Sequence, residues 1–581
     1  MRKQTKIAAI VSAAALLAIG ASMTSFAATG WQEEDGTWVY YNKAEEKVTD
    51  KWEKSGDNWF WLDGDGYMAT DMLIEDDDDY YYVDANGAMV RNQWIAIDNE
   101  DAGNDDDEPE VHWYYFQNNG KAYRKKGTTK VFKKSINGKT YCFNEDAQMQ
   151  YGWVDDDGQT DYEDDAWSHC DYYFGDENDG AMSVGWRLIS ITDENNAEDQ
   201  QPGDAFWDED QDRWFWFKSS GKKQTKKDNK TINGKKYGFD EQGRMIADWW
   251  TDETIASASE GATDSNGKKA QGNPDYSETF MYFSTPEDGA RYTKGWFKVV
   301  PGDFLHKGKH DDGDNYWYYA DGKGHIVASE IKTIKSKKYA FDEYGRMKKG
   351  LQLIEFTEAG ETKVIKSVYA DDDDNLPYDT EEKFDTTARI LEDSKLLSEG
   401  KFAFMYFSND EDHDGSMKTG KQNINIDGDT FSFRFYTSGS HKGHGITGVD
   451  DKKMYIGGKL ISADKDEKVD FFCVNGYTAP DGTEFQKGKK YTMGSLIKAG
   501  IFVPDTKYDK KDETKYIPSA AVSNEEFAKN FICVNTSGAV LTSGTKKDGD
   551  DYKISLKKYA EKVPVMGDTI QSAYVEKIIL K

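Results

Sequence analysis

Trp31, Trp52, Leu73 and Trp94 stand 21 residues apart, and the same step separates Trp38, Trp59 and Tyr80, as well as Tyr40, Trp61 and Tyr82. Gly66 with Gly87, and Met68 with Met89, repeat the step. A period this short cannot hold a core of its own, so each unit must bury its apolar face on a neighbour and the chain must grow as a stack. Within one period, "DNWFWLDGDGYM" and "DYYYVDANGAM" run a short aromatic strand into an Asp/Asn/Gly turn and out again. Alternate side chains of a strand point to opposite faces, and Asp-Gly and Asn-Gly steps supply the positive φ of tight hairpin turns. The spacing therefore predicts one β-hairpin per period. A lone hairpin is not stable in water, so the fold class expected is all-β, a solenoid of stacked hairpins.

Further along, polar insertions stretch the period. "VHWYYFQNNGKAY" repeats the strand and turn, and "SINGKTYCFNEDAQM", "TINGKKYGFDEQGRM" and "TIKSKKYAFDEYGRM" recur at intervals of about a hundred residues. After each come a long insertion, another aromatic strand, and a third hairpin carrying "WFWFKSSG", "YWYYADGKG" or "FSFRFYTSG". The organisation expected is a signal peptide over 1–27, tryptophan-rich hairpins over 28–134, three copies of a three-hairpin module over 135–445, and a degenerate region without tryptophan over 446–581. The insertions, rich in Asp, Asn, Gly and Ser, belong in solvent-exposed loops. "ARILEDSKLL" and "EEFAKNF" are the helical candidates.

The first residues have the order of a secretory leader: Arg2, Lys3 and Lys6, an apolar run from Ile7 to Ile19, then Ser25 and Ala27 at a small-x-small exit. No later segment is apolar enough to cross a bilayer. The formal charge of -33 becomes more negative once the basic leader is removed. Such a surface repels nucleic acid and anionic lipid. Cys142, Cys170, Cys473 and Cys533 are too few and too scattered for a disulfide framework or a CxxC metal site. Cys473 and Cys533, in "FFCVN" and "FICVN", read first as buried small hydrophobes and second as a disulfide.

The order G-W, a few polar residues, G-x-W-aromatic-aromatic, a turn and G-x-M, carried by "GWQEEDGTWVYY", "KWEKSGDNWFWLDGDGYM" and "YYYVDANGAM", resembles the cell-wall-binding repeats of Gram-positive bacteria, best known as choline-binding repeats. The "TINGKKYGFDEQGRM" type is similar to repeats of streptococcal glucan-binding regions and clostridial toxin tails. The resemblance implies a β-hairpin solenoid with choline held between consecutive hairpins in a cage of rings. A quaternary ammonium donates no strong hydrogen bond, and the negative faces of several rings hold it instead, at about 0.5–2 kcal/mol each. Carried onto this chain, one cage would use Trp31 and Trp38 with Trp59 or Trp61, and a second Trp52 and Trp59 with Tyr80 or Tyr82. Trp186 with Trp214, and Trp296 with Trp317 and Tyr319, are further candidates. Leu73, Leu351 and Gln422 stand where the first tryptophan belongs, so sites there should be weak or absent. The rings could equally form the stacking core that every hairpin needs.

Other motifs carry less. "DGDG" at Asp63–Gly66 and "DEDHDG" at Asp410–Gly415 begin like calcium loops, but Ile74 and Lys421 stand where an EF-hand requires glutamate. Looser calcium binding by Glu75–Asp79 or Asp371–Asp374 competes with simple solvated charge. His441 and His444 sit in a glycine-rich stretch without an evident third ligand, and read as an ordinary polar loop. No G-x-S-x-G, H-E-x-x-H or P-loop is present. The reading is a secreted, non-catalytic protein without metal or cofactor, attached to a cell-wall polymer (choline-bearing teichoic acid or glucan). A glucan-binding adhesin of the same fold is the alternative, and an enzyme hidden in 446–581 is a third possibility. A host or bacterial surface partner is left open.

Overall fold

The computed structural model describes residues 29–102, 109–127, 130–191, 211–251, 277–359, 364–368, 376–409, 414–549 and 551–581. The expected leader, Asp371–Asp374 and most of Asp410–Gly415 lie outside these residues. The chain divides into two compact units, one holding the described residues up to 191 with 211–226 and 241–244, the other holding 227–240 and 245–581.

The first unit is a succession of two-stranded antiparallel hairpins: Gly30–Glu34 with Thr37–Tyr41, Lys51–Ser55 with Asn58–Leu62, Met72–Asp76 with Asp79–Val83, and Gln93–Asp98 with Val111–Phe116. Three more follow, Lys133–Ile136 with Lys139–Phe143, Gly152–Val154 with Tyr172–Phe174, and Gly185–Ile191 with Gln211–Phe217. The second unit opens with the same trio, at Lys227–Ile232/Lys235–Phe239, Asp248–Trp250/Met281–Phe283 and Gly295–Val299/Tyr316–Ala320. It repeats it at Glu330–Ile334/Lys337–Phe341, Gly350–Phe356/Phe402–Phe407 and Gly420–Ile426/Asp429–Phe435. The fold is all-β hairpin repeat, as the 21-residue step predicts.

Local chemistry explains each hairpin. At the tight end, Asn137 (φ 50°) and Gly138 (φ 83°) both adopt left-handed backbone, as the twist-matched two-residue turn requires, and Asp35–Gly36 and Asn233–Gly234 do the same. After the second strand, an Asp or Asn side chain closes the exit turn. Asp63 Oδ1 accepts from the amides of Asp65 and Tyr67, and Asp84 Oδ1 from those of Asn86 and Ala88.

Within each unit a recurring hydrogen bond ties one hairpin to another. The amide two residues beyond the exit-turn glycine donates to a second-strand carbonyl of the preceding hairpin: Met68 to Trp38 (2.8 Å), Met89 to Trp59 (2.9 Å), Ala122 to Tyr80 (2.8 Å) and Met182 to Thr140 (2.8 Å). In the second unit the same stitch runs from Arg291 to Lys236, Met347 to Trp317 and Met417 to Lys338, each at 2.8 Å. The methionine of G-x-M also lies over the next exit glycine, Met68 against Gly87 and Met182 against Gly221. That contact is why glycine and methionine recur at fixed offsets.

The C-terminal part of the second unit departs from the pure stack. Gly448–Asp450, Lys453–Ile456 and Lys459–Leu460 extend the Gly420–Phe435 hairpin into a five-stranded sheet. A second five-stranded sheet runs Phe502–Pro504, Thr514–Pro518, Asp568–Leu580, Tyr552–Val565 and Gly544–Asp548. Helices Met493–Lys498 and Asn524–Asn530 cover a core containing Phe471, Leu496, Phe527 and Ile554. The second of these holds "EEFAKNF" and is capped by Ser523, whose side chain accepts from the Glu526 amide. "ARILEDSKLL" falls partly in a longer helix, Glu381–Asp393, which begins earlier than the motif because Thr380 caps it. The repeat turn persists to the end: Asn535 accepts from the Ser537 and Ala539 amides, and the site of a Cβ on Gly538 is taken by Leu460. Cys473 and Cys533 lie opposite Phe531 and Phe471 on paired strands, buried and unbridged.

Candidate functional site

Register sets the aromatic geometry. The first tryptophan of a hairpin faces a ring near the end of its partner strand: Trp31 opposite Tyr40, Trp52 opposite Trp61, Trp94 opposite Tyr115, Trp153 opposite Tyr173 and Trp296 opposite Tyr319. Each pair meets edge to face, with centroids between 5.0 Å (Trp153–Tyr173) and 5.4 Å (Trp31–Tyr40). The same tryptophan then meets the middle ring of the following hairpin: Phe60 at 5.3 Å for Trp31, Tyr81 at 5.2 Å for Trp52, Tyr141 at 4.8 Å for Trp94, and Tyr339 at 4.8 Å for Trp296. Rings meeting near the perpendicular form a corner that presents two negative faces at once, the arrangement an ammonium group prefers.

The structure brings together the two later expected groupings. Trp186 lies 6.1 Å from Trp214 and 5.2 Å from Trp216. Trp296 lies 6.4 Å from Trp317 and 5.1 Å from Tyr319. In the two N-terminal groupings the following hairpin contributes a different ring from those expected. Trp31 meets Phe60, whereas Trp59 and Trp61, on either side of Phe60 in the strand, project from the opposite face. Likewise Trp52 meets Tyr81 and not Tyr80 or Tyr82. The reason is the two-residue alternation of the strand: the face that receives the preceding hairpin carries the middle ring. Trp61 and Tyr82 are instead cross-strand partners of Trp52 and Leu73. Trp38, Trp59 and Tyr80 supply the carbonyls of the stitch, and Trp59 stays 36% exposed.

Sequence reasoning passed over the middle rings Phe60, Tyr81, Tyr141 and Tyr339, and the whole Trp94 corner, although Phe60 and Tyr81 keep the 21-residue step. At the departures, Leu73 packs with Tyr80, Tyr82 and Tyr114, and Leu351 faces Tyr406. The third position is corrected. Gly420 pairs with Phe435 as Gly350 pairs with Phe407, so the residue in the tryptophan position is Lys421, opposite Arg434, and not Gln422.

Carboxylates border the rings. Asp76 accepts from the Trp52 indole nitrogen at 3.1 Å, and Asp71 accepts from the Tyr82 hydroxyl. Burial first, then the Asp71 hydrogen bond, push the Tyr82 phenol above its ordinary range. At one corner the chain supplies a cation itself. The Lys223 ammonium lies 5.1 Å from the Trp153 ring centroid and 5.8 Å from that of Phe215, while its hydrogen bond goes to the Trp167 carbonyl. Trp153 and Phe215 are the same first-ring and middle-ring pair, 5.3 Å apart.

The remaining motifs resolve into structure. Asp63–Gly66 is an exit turn. In Glu75–Asp79 the buried Asp79 pairs with Lys121 and Lys126, which hold its carboxyl below the usual range against the opposing effect of burial. The ordinary polar loop expected at His441 and His444 is corrected for His444. That ring is 2% exposed, stacks on Phe356 at 5.0 Å, and is pushed down to about 3, first by desolvation. Among the described residues no helix is long and apolar enough to cross a membrane.

Residues 48–94 match the family model described as choline-binding repeat, and the hairpins of that stretch are repeats of this class. Three solved structures, all from Streptococcus pneumoniae, are similar in part. The modular autolysin LytC in complex with a synthetic peptidoglycan ligand is 17% identical over 57% of this chain and 55% of its own, with a TM-score of 0.29. The choline-binding domain of CbpL is 19% identical over 42% of this chain and 96% of its own, at 0.23. Choline binding protein F is 15% identical over 75% of this chain and 100% of its own, at 0.19. The chain thus spans about half the length of LytC. Scores this low leave the ligand to be argued from the residues above. No curated protein matches the chain.

Proposed function

We propose that this is a secreted, non-catalytic protein of the Gram-positive cell surface, which holds a cell-wall polymer through aromatic corners between consecutive hairpins. The polymer carries a cationic head group, choline being the one the repeat class suggests. The observation that carries the reading is Lys223, an ammonium seated over Trp153 and Phe215 in the first-ring and middle-ring pair that recurs at Trp31, Trp52, Trp94 and Trp296. A corner that accepts the chain's own cation suits a foreign one. The bordering Asp76 and Asp71 add local negative potential that attracts the cationic head group, and this attraction works against the repulsion between an acidic protein and the phosphates of a teichoic acid. Individually weak sites in one array then add through effective concentration.

A second reading, a glucan lying across exposed ring faces, is favoured by Trp59, whose indole is more than one-third open to solvent. Titration of intrinsic tryptophan fluorescence with choline, and in parallel with glucan oligosaccharides, separates the two. A saturable choline response lost in a folded Trp52→Ala variant supports the first reading. A response to oligosaccharide alone replaces it with the second, and silence with both ligands leaves the rings as stacking core.

A further inference from the structure

The insertion between Gly152–Val154 and Tyr172–Phe174 contains a convergence of three different donors. Asp161 Oδ2 lies 2.8 Å from His169 Nε2 and 3.8 Å from Cys170 Sγ, and the three ligand atoms all fall within 4.8 Å of one another. We propose that Asp161, His169 and Cys170 form a binding site for a divalent transition-metal ion of the zinc class. This site is independent of the aromatic corners and of the polymer they hold.

The donor set fits the ion. Carboxylate, imidazole and thiolate are the ligands zinc takes, at about 2.0–2.3 Å, which places neighbouring donors of a tetrahedral site about 3.2–3.6 Å apart. The two separations from Asp161 Oδ2, 2.8 and 3.8 Å, lie on either side of that range, so binding requires the Asp161–His169 pair to open and the Cys170 sulfur to close on Asp161. A soft thiolate beside an imidazole disfavours magnesium and calcium, which take oxygen donors.

The surrounding backbone aims the donors. Asp161 Oδ1 accepts from the Glu163 amide at 3.0 Å, which turns Oδ2 toward the other two ligands, and the Asp161 amide is fixed on the Trp153 carbonyl at 2.9 Å. The short helix Ala166–His169 ends at the site, and the Cys170 amide bonds to the Ala166 carbonyl at 2.9 Å. These contacts hold Asp161 and Cys170 in place, as the ligands of a metal site require. Cys170 is 1% exposed and forms the floor, while the His169 side chain is half exposed and forms the mouth. The fourth coordination position therefore opens to solvent and takes water. All three ligands lie in one long surface insertion, so the ion would cross-link a loop that has little apolar surface of its own. The cysteine count gave no sign of this, because only one of the ligands is a cysteine.

Cobalt(II) is the probe for the full chain without its leader, because a cobalt–thiolate bond gives a charge-transfer absorption that carboxylates and imidazoles alone do not. The expected result is a band saturating at one equivalent and displaced by zinc. Cys170→Ser abolishes it, whereas Cys142→Ser, altering another buried thiol, retains it. His169→Ala and Asp161→Asn weaken binding at least the roughly tenfold that losing a supporting group already costs. Near-ultraviolet circular dichroism of the tryptophans checks each fold. Zinc protection of Cys170 against alkylation in the unaltered chain tests the site should Cys170→Ser fail to fold. Absence of a thiolate band, its survival in folded Cys170→Ser, or alkylation indifferent to zinc overturns the proposal.

Discussion

The thioether of Met89 occupies the space that a side chain on Gly120 would need: an ideal Cβ there would stand 2.2 Å from the sulfur. The two residues belong to consecutive hairpins, and the contact recurs between Met68 and Gly87 and between Met245 and Gly289.

Gly120→Ala should therefore destabilise the array more than Gly36→Ala. The two glycines share nearly the same left-handed backbone (φ 85° and 82°), but a Cβ at Gly36 meets nothing within 4 Å. Both variants bear the conformational cost of an L-residue there, about 1–2 kcal/mol. Only Gly120→Ala adds overpacking, typically about 1–3 kcal/mol. Thermal unfolding of the two variants measures the difference, and equal losses would show that methionine does not lock the stack.

Lys223→Met should create a choline site. The methionine keeps the apolar stem and removes the ammonium from the Trp153–Phe215 corner. Equilibrium dialysis with labelled choline should find one additional equivalent bound. Unchanged stoichiometry would mean that the corner is sealed by its walls and not by the lysine.

Phe60→Leu should weaken choline binding as Trp31→Ala does. Leucine preserves an apolar side chain at a position only 3% exposed but removes one of the two faces of the corner. At about 0.5–2 kcal/mol per ring the loss is roughly 2- to 30-fold in affinity for that site. Competition against labelled choline in a fragment-independent format, the whole chain, reads it. A Phe60→Leu chain with unaltered affinity would place the ligand elsewhere.

Stability of the second unit should fall as pH rises from about 4 to about 7. Burial pushes the carboxyl of Asp470 up to about 6 and that of Asp548 up to about 7, despite the amides of Asp464 and Val469 that donate to them. The fold therefore keeps protons that the unfolded chain has already released, and the native state binds more protons across that window. The loss is complete about one unit above the Asp548 value, where the curve levels. Asp548→Asn, which retains an acceptor for the Val469 amide, should flatten the slope in thermal unfolding followed across this range, and an unchanged slope would exclude Asp548 as its source.

The hairpins were legible because three independent sequence signals agree in register: the 21-residue step, the Asn-Gly and Asp-Gly turns, and the alternation of rings. The corners were legible only in part. Periodicity names the rings that recur, but which face of Asn58–Leu62 receives Trp31 depends on the stacking direction, and a single strand does not encode that. Hence Phe60 was passed over for its neighbours Trp59 and Trp61. The shift from Gln422 to Lys421 has the same origin, since only the pairing of Gly420 with Phe435 fixes the count. His444 was misjudged because glycine neighbours signal a turn yet say nothing of Phe356, distant in sequence, that covers the ring. Asp161 meets His169 and Cys170 only through the path of an insertion whose composition reads as solvated loop.

The amide of each stitch, such as that of Met89, follows an exit turn, whereas the carbonyl that accepts it, such as that of Trp59, lies one residue into the second strand, beside the turn where the long insertions open. The stitch nevertheless forms there: Trp317, directly after the insertion between Val299 and Tyr316, accepts from the Met347 amide at 2.8 Å. The insertions can lengthen, acquire a helix such as Glu381–Asp393, or take up a new chemistry without disturbing a single rung of the stack. A chain built this way behaves as a rack whose slots accept inserts of any size.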